Sequence, residues 1–135
     1  MIIRQLSVFL ENKTGRLAEF TQILSDAKIN ISALSIADTE SYGVIRMIVD
    51  QPDQAFQVLK QKGISAHFTE VLGIAIPDEP GSLSKILKHL SDEGISVSYM
   101  YGYSKEKVAY MIIKADNPQK AAAVLAGKGV QEAPN

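Results

Sequence analysis

The sequence predicts an α+β protein made of two tandem βαββαβ units, each an antiparallel sheet with both helices on one face. Three observations predict it: an internal repeat, the order of apolar runs and helical stripes within each copy, and strands that are apolar on both sides. Gly81-Ser82-Leu83 follows Gly15-Arg16-Leu17 by 66 residues. The same offset aligns Leu90-Ser91-Asp92 with Leu24-Ser25-Asp26, and Ile95-Ser96-Val97-Ser98 with Ile29-Asn30-Ile31-Ser32. It falls to 64 for Met111-Ile112-Ile113 against Met47-Ile48-Val49. It returns to 66 for Asp116, Pro118, Val124-Leu125 and Gly129 against Asp50, Pro52, Val58-Leu59 and Gly63. Both register changes fall at expected loops, so the 135 residues divide into units at 1–67 and 68–135.

The elements of the first copy follow in order. Leu6 to Leu10 is a short apolar run and predicts a buried strand. Glu11 to Gly15 is a polar turn. Leu17, Phe20, Leu24 and Ala27 fall at helical spacing, with Ile23 beside them, and predict a helix from Gly15 to Ala27. Ile29 to Ile36 predicts a second strand, Asp38 to Gly43 a hairpin connection, and Val44 to Val49 a third strand. Pro52 suits the first turn of a helix. Ala55, Phe56, Val58 and Leu59 give that helix an apolar stripe, and Gly63 ends it. Ile64 to Phe68 predicts a fourth strand.

The second copy repeats the pattern. It has strands at Val71–Ile76, Ile95–Tyr103 and Val108–Lys114, and helices at Gly81–Glu93 and Pro118–Ala126. Its last strand, Val130 to Ala133, is short or absent. Right-handed crossovers in two linked β-α-β units put strands one and three at the sheet centre and both helices on one face. Strand three is apolar at Val44 and Ile48, and also at Ile45, Met47 and Val49, which point the other way. Val71-Leu72-Gly73-Ile74-Ala75-Ile76 is likewise apolar throughout. A sheet with one wet face alternates instead. The second face of each sheet therefore calls for cover from the other copy or another chain. A lone unit buries only about 60% of its unfolded surface, which also favours association.

Composition excludes several classes of function. Lys plus Arg number 14 against 15 Asp plus Glu, a net charge of −1. That balance argues against a bulk electrostatic grip on nucleic acid or membrane. With no cysteine there is no disulfide, thiol chemistry, iron–sulfur cluster or Cys-based zinc site. His67 and His89 have no paired ligand spacing, and no cofactor is expected. No apolar run approaches the roughly 20 residues of a membrane span. Residues 1–5 show no leader pattern, so a cytoplasmic location is expected.

The two strand-to-helix turns are the candidate binding sites. A helix start offers unpaired N–H groups and a positive dipole end, which suit a carboxylate. Gly15 and Gly81 lack a Cβ and so admit a ligand close to the backbone. Asn12, Asp78 and Glu79 are acceptors for an amino group. Asn30, Ser32 and Ser98, at the neighbouring strand entry, are candidates to complete the polar set. Conformation alone also accounts for such glycines, with Asn12, Thr14 or Asp78 serving as helix caps. Tyr99, Tyr101 and Tyr103 share a strand face, opposite in the alignment to the smaller Ala33, Ser35 and Ala37. They cover the sheet, fill a dimer interface, or wall a pocket. Gly102 marks either a close backbone approach or a bulge.

Asn12-Lys13-Thr14-Gly15-Arg16-Leu17 and Asp78-Glu79-Pro80-Gly81-Ser82-Leu83 resemble the Asp/Asn-x-Pro-Gly-x-Leu turn that opens the first helix of ACT domains. Ala27-Lys28-Ile29-Asn30-Ile31-Ser32 resembles the Gly-Ile-Asn-Ile entry to that family's second strand, and Asp92-Glu93-Gly94-Ile95-Ser96-Val97 resembles it with the Gly but without the Asn. The first copy departs from the pattern at Thr14, and the second at Ser96. The match covers nearly the whole chain as two tandem ACT-like, ferredoxin-like units.

The resemblance implies a small-molecule ligand, most often an amino acid, bound by these motif residues at an interface between units. It also implies a homodimer and a partner enzyme of amino-acid metabolism. No Ser-His-Asp order, Walker loop or HExxH occurs, and the first loop lacks the Gly-rich, Arg-containing cradle of the similarly arranged acylphosphatases. The expectation is a regulatory protein and not an enzyme. The alternative is a ligand-independent interaction or assembly module.

Overall fold

The structure is a computed structural model that describes residues 1–38 and 41–134. Thr39 and Glu40 of the expected hairpin connection, and Asn135, lie outside the described residues. The chain forms two compact units, Arg4–Thr69, and Met1–Ile3 together with Glu70–Asn135. The elements are β1 (Ile2–Glu11), α1 (Arg16–Asp26), β2 (Ile31–Asp38), β3 (Tyr42–Val49), α2 (Pro52–Gln61) and β4 (Ala66–Pro77). They continue with α3 (Ser82–Asp92), β5 (Val97–Lys105), β6 (Val108–Ala115), α4 (Pro118–Gly127) and β7 (Gln131–Glu132).

Strand order is β4-β1-β3-β2 in the first unit and β7-β4-β6-β5 in the second, so the first and third strands are central as expected. The pairings of β1 with β3, β2 with β3, β4 with β6 and β5 with β6 are antiparallel. Two expected strands, Ile64–Phe68 and Val71–Ile76, prove to be the single strand β4. The polar pair Thr69-Glu70 interrupts the apolar run but not the backbone ladder, which needs only N–H and C=O groups.

Register sorts the side chains. Leu6 pairs with Met47 and Val8 with Ile45, and all four are buried on the face that α1 and α2 cover. Phe20 and Leu24 of α1 and Leu59 of α2 complete this core. In the second unit Leu72, Ile74 and Ile76 pair with Ile113, Met111 and Ala109 beneath Ile86 and Leu90 of α3 and Leu125 of α4. On the opposite face of β3, Val44 and Ile48 are half-buried.

All four helices stop in the same way. A residue with positive φ follows the last turn: Lys28 at 60°, Gly63 at 73°, Gly94 at 70° and Gly129 at 78°. The next N–H then reaches back to a leucine carbonyl, Ile29 to Leu24, Ile64 to Leu59, Ile95 to Leu90 and Val130 to Leu125, at 2.9–3.0 Å. This is a Schellman stop, whose apolar residue after the turn packs toward the helix it ends.

β7 is only two residues long, pairing Gln131 with Ala75 and Glu132 with Ile74. At Gly73 the carbonyl accepts from Ala133 N–H at 3.0 Å, and the N–H donates to Met1 O at 2.8 Å. The first residues of the chain thus extend the edge that β7 begins, and Met1 and Ile2 pack on the second core.

Candidate functional site

The second turn is built from Asp78-Glu79-Pro80-Gly81, between β4 and α3. Gly81 has φ 90° and ψ −15°, a left-handed conformation that a side chain would strain. The turn closes through Glu79 N–H to Pro77 O at 3.0 Å and Ser82 N–H to Glu79 O at 3.2 Å. Asp78 N–H donates to Lys107 O at 2.9 Å, which ties the turn to the β5–β6 connection. No side chain caps α3, so Asp78 is not a helix cap. The positive end of the helix dipole faces the turn.

Against this turn lies a hollow of about 260 Å³. Its walls are Pro77 to Glu79, Ser82 and Leu83, with Gly102, Tyr103 and Ser104 of β5 and Ala109 and Met111 of β6. Neither the Asp78 nor the Glu79 carboxylate is hydrogen-bonded or ion-paired among the described residues. Gly102 is required by space, because a Cβ there would stand 2.1 Å from the Tyr110 carbonyl oxygen. The register of β5 shifts near Val97 and not at Gly102, so Gly102 marks a close approach and not a bulge.

The first turn has the same backbone and different side chains. Gly15 has φ 89° and ψ −14°, and α1 again starts without a side-chain cap. Here the polar groups engage one another. Asn12 Nδ2 donates to Asp38 Oδ1 at 2.8 Å, so Asn12 does not cap α1. Lys13 pairs with Glu11 at 3.0 Å and Arg16 with Glu19 at 3.0 Å. The hydrogen bond from Lys13, and then its charge, hold the Glu11 carboxyl below its ordinary range. Arg16 Nε is buried with no partner among the described residues.

The strand-entry residues lie at the other end of each unit. In a right-handed crossover the second strand starts where the helix ends, and an 11-residue helix is about 16 Å long. Asn30 N–H donates to Asp50 Oδ1 at 3.0 Å and Asn30 O accepts from Asp50 N–H at 3.1 Å. Ser96 and Asp116 repeat this clamp at 3.3 and 3.0 Å. Ser32 Oγ donates to Ile48 O at 3.2 Å. Asn30, Ile31 and Ser32, and likewise Ser96, Val97 and Ser98, are therefore not brought to the turn of their own unit. Asn30 and Ile31 border a separate open hollow of about 430 Å³ with Thr21, Ser25 and Lys28.

A family model described as an ACT domain pair matches residues 1–132. The chain belongs to the ACT domain pair family. Among solved structures, protein BT0572 from Bacteroides thetaiotaomicron is 44% identical to this ACT pair, with a TM-score of 0.93 over 97% of this chain and 91% of that one. The ligand-free regulatory subunit of aspartate kinase from Thermus thermophilus is 15% identical, with a TM-score of 0.68 over 94% of this chain and 96% of that one. The corresponding subunit from Thermus flavus is 14% identical, with a TM-score of 0.66 over 94% of both chains. These two likenesses show the fold. No curated protein matches the chain significantly. An ACT domain pair is a regulatory module of the small-molecule-binding kind, not a catalytic one.

Within the ACT pair, sequence reasoning found the turns and missed the wall supplied by Ser104, Ala109 and Met111. The available signal was Gly102, which the repeat sets against the much larger Ile36. Of the three alternating tyrosines only Tyr103 borders the 260 Å³ hollow, and its ring centre lies 5.5 Å from that of Tyr110 with the planes tilted by 42°. Among the described residues no group of three potential metal ligands occurs, and no helix is long and apolar enough to cross a membrane.

Proposed function

We propose that this ACT pair, with its units at 1–67 and 68–135, is a stand-alone regulatory sensor that binds a free amino acid at the turn carrying Gly81. Asp78 and Glu79 accept the ammonium group, and the N–H groups at the start of α3 with the Ser82 hydroxyl take the carboxylate. Leu83, Tyr103 and Met111 contact the ligand's side chain. The observation that carries this reading is the juxtaposition, around a 260 Å³ hollow, of two unengaged carboxylates and an uncapped helix start. That volume lies just below the range of about 300–1,000 Å³ usual for drug-sized ligands, as a small metabolite requires. The Gly15 turn, whose charges already pair with one another, is the weaker site. The sensor acts as a cytoplasmic homodimer on a partner enzyme of amino-acid metabolism, because a ligand favours whichever arrangement binds it better.

A thermal-shift series with the common amino acids tests this. At least one should raise Tm, since ligand at 100 times its Kd stabilises by about 2.7 kcal/mol. Gly81→Val and Asp78→Ala should abolish the shift. If no amino acid produces a shift, the reading falls in favour of a ligand-independent assembly module. The exposed Leu17, Leu34 and Ile36 of the first unit favour that second reading, since apolar surface of this kind marks protein contacts.

A further inference from the structure

The second unit has another cleft, on the helical side, which borders the same turn at Glu79, Gly81 and Ser82 but is lined beyond it by residues the amino-acid reading does not use. Its volume is about 620 Å³. One wall is a single face of α3 carrying Ser82, Lys85 and His89, and the facing wall includes Lys128 and Gln131 just beyond α4. Glu79 is the one acid on the lining. None of Lys85, His89 and Lys128 is paired with an acid among the described residues. The fold does not require this. At the aligned positions of the first unit, Glu19 stands for Lys85 and Ile23 for His89, and Glu19 is neutralised by Arg16 at 3.0 Å. Nor is α3 short of partners, since Lys88 on another face pairs with Asp92 at 3.0 Å.

Lys85 near the start of α3 opposes the helix dipole, in a first turn that carries no acid. His89, one turn later on the same face, adds a ring N–H donor. Unpaired Lys85 and Lys128 on facing walls of a cleft of metabolite size, in a chain of net charge −1, point to a ligand that supplies the missing negative charge. From Ser82 to His89 the donors span about 10 Å along the helix. That exceeds one carboxylate or one phosphate group.

We infer that the cleft between α3 and the α4–β7 connection of the second unit binds a small, elongated anion with at least two negative groups, carboxylate or phosphate. The inference is carried by Lys85, His89 and Lys128, none of which the amino-acid reading uses, although Glu79 and Ser82 line both hollows.

The test is isothermal titration of the full chain, at fixed ionic strength, with citrate and with inorganic pyrophosphate, neither of which has an amino group. At least one should bind, and which one binds tells carboxylate from phosphate. The double variant Lys85→Ala/Lys128→Ala should weaken binding at least tenfold. The double variant Lys62→Ala/Lys88→Ala, with the same change in net charge, should leave it unaltered. The imidazole resonances of His89, and not those of His67, should move during titration. Absence of binding by both probes, equal weakening by the two double variants, or unmoved His89 resonances would each overturn the proposal.

Discussion

Lys28 is the one helix stop of the four that is not glycine, and it holds φ 60° against the Cβ penalty of the left-handed region. Lys28→Gly should therefore stabilise the first unit by about 1 kcal/mol, and Gly94→Ala should destabilise the second by a similar amount, both read as shifts of the urea midpoint at constant slope. The 66-residue offset sets Lys28 against Gly94. The left-handed conformation of Lys28 was not legible, because a lysine carries no local signal for it. Gly102 shows the reverse case. The sequence marked it as special but left a close approach or a bulge open, and the Tyr110 carbonyl beside it with the unbroken register there decided for the close approach. Gly102→Ala should cost about 1–3 kcal/mol by overpacking and should disturb the hollow where Tyr103 sits.

At the scale of elements, what begins each helix differs more than what ends it. Asn117 caps α4 by accepting from Lys120 N–H at 3.1 Å, whereas α1 and α3 start uncapped at left-handed glycines. Asn117→Ala should cost about 1 kcal/mol in a denaturant melt, a loss the uncapped helices cannot show. Arg4 in β1 grips Asp53 in α2 with two hydrogen bonds of 3.0 and 3.1 Å, and its guanidinium lies 4.7 Å from the Phe68 ring centre. The hydrogen bond from Arg4, and then its charge, lower the Asp53 pKa below its ordinary value. A carboxyl lowered in the folded state stabilises above its unfolded pKa of about 3.9 and loses that stabilisation as pH falls through the folded value. Asp53→Asn should accordingly lower Tm at neutral pH and leave it nearly unchanged near pH 2. Apolar spacing revealed the helices because burial sets their stripes, and Gly63 was legible as a stop. The single β4 was hidden because Thr69 and Glu70 look like a break, although strand continuity is a property of the backbone.

For the whole molecule, duplication was the most legible property, since seven stretches keep a common offset and the family match spans both copies. The turns could be located because both copies display them. The pairing of Asp50 with Asn30 and of Asp116 with Ser96 was not legible as a clamp, since its partners lie 20 residues apart. Nor did the repeat reveal that Met1–Ile3 belong with the second unit, because the run recognised as the first strand starts at Leu6. Ile2→Asp should therefore increase hydrogen exchange at Gly73 and Ala133 while the buried amides of β3 keep their protection. The chain enters the second unit twice and the first once: β1 opens in the second unit and continues in the first, and β4 opens in the first and continues in the second. A gene cut at the repeat boundary would leave the carboxyl-terminal fragment without the backbone that satisfies Gly73. The two halves, alike in ancestry, are therefore best inherited and expressed as one polypeptide.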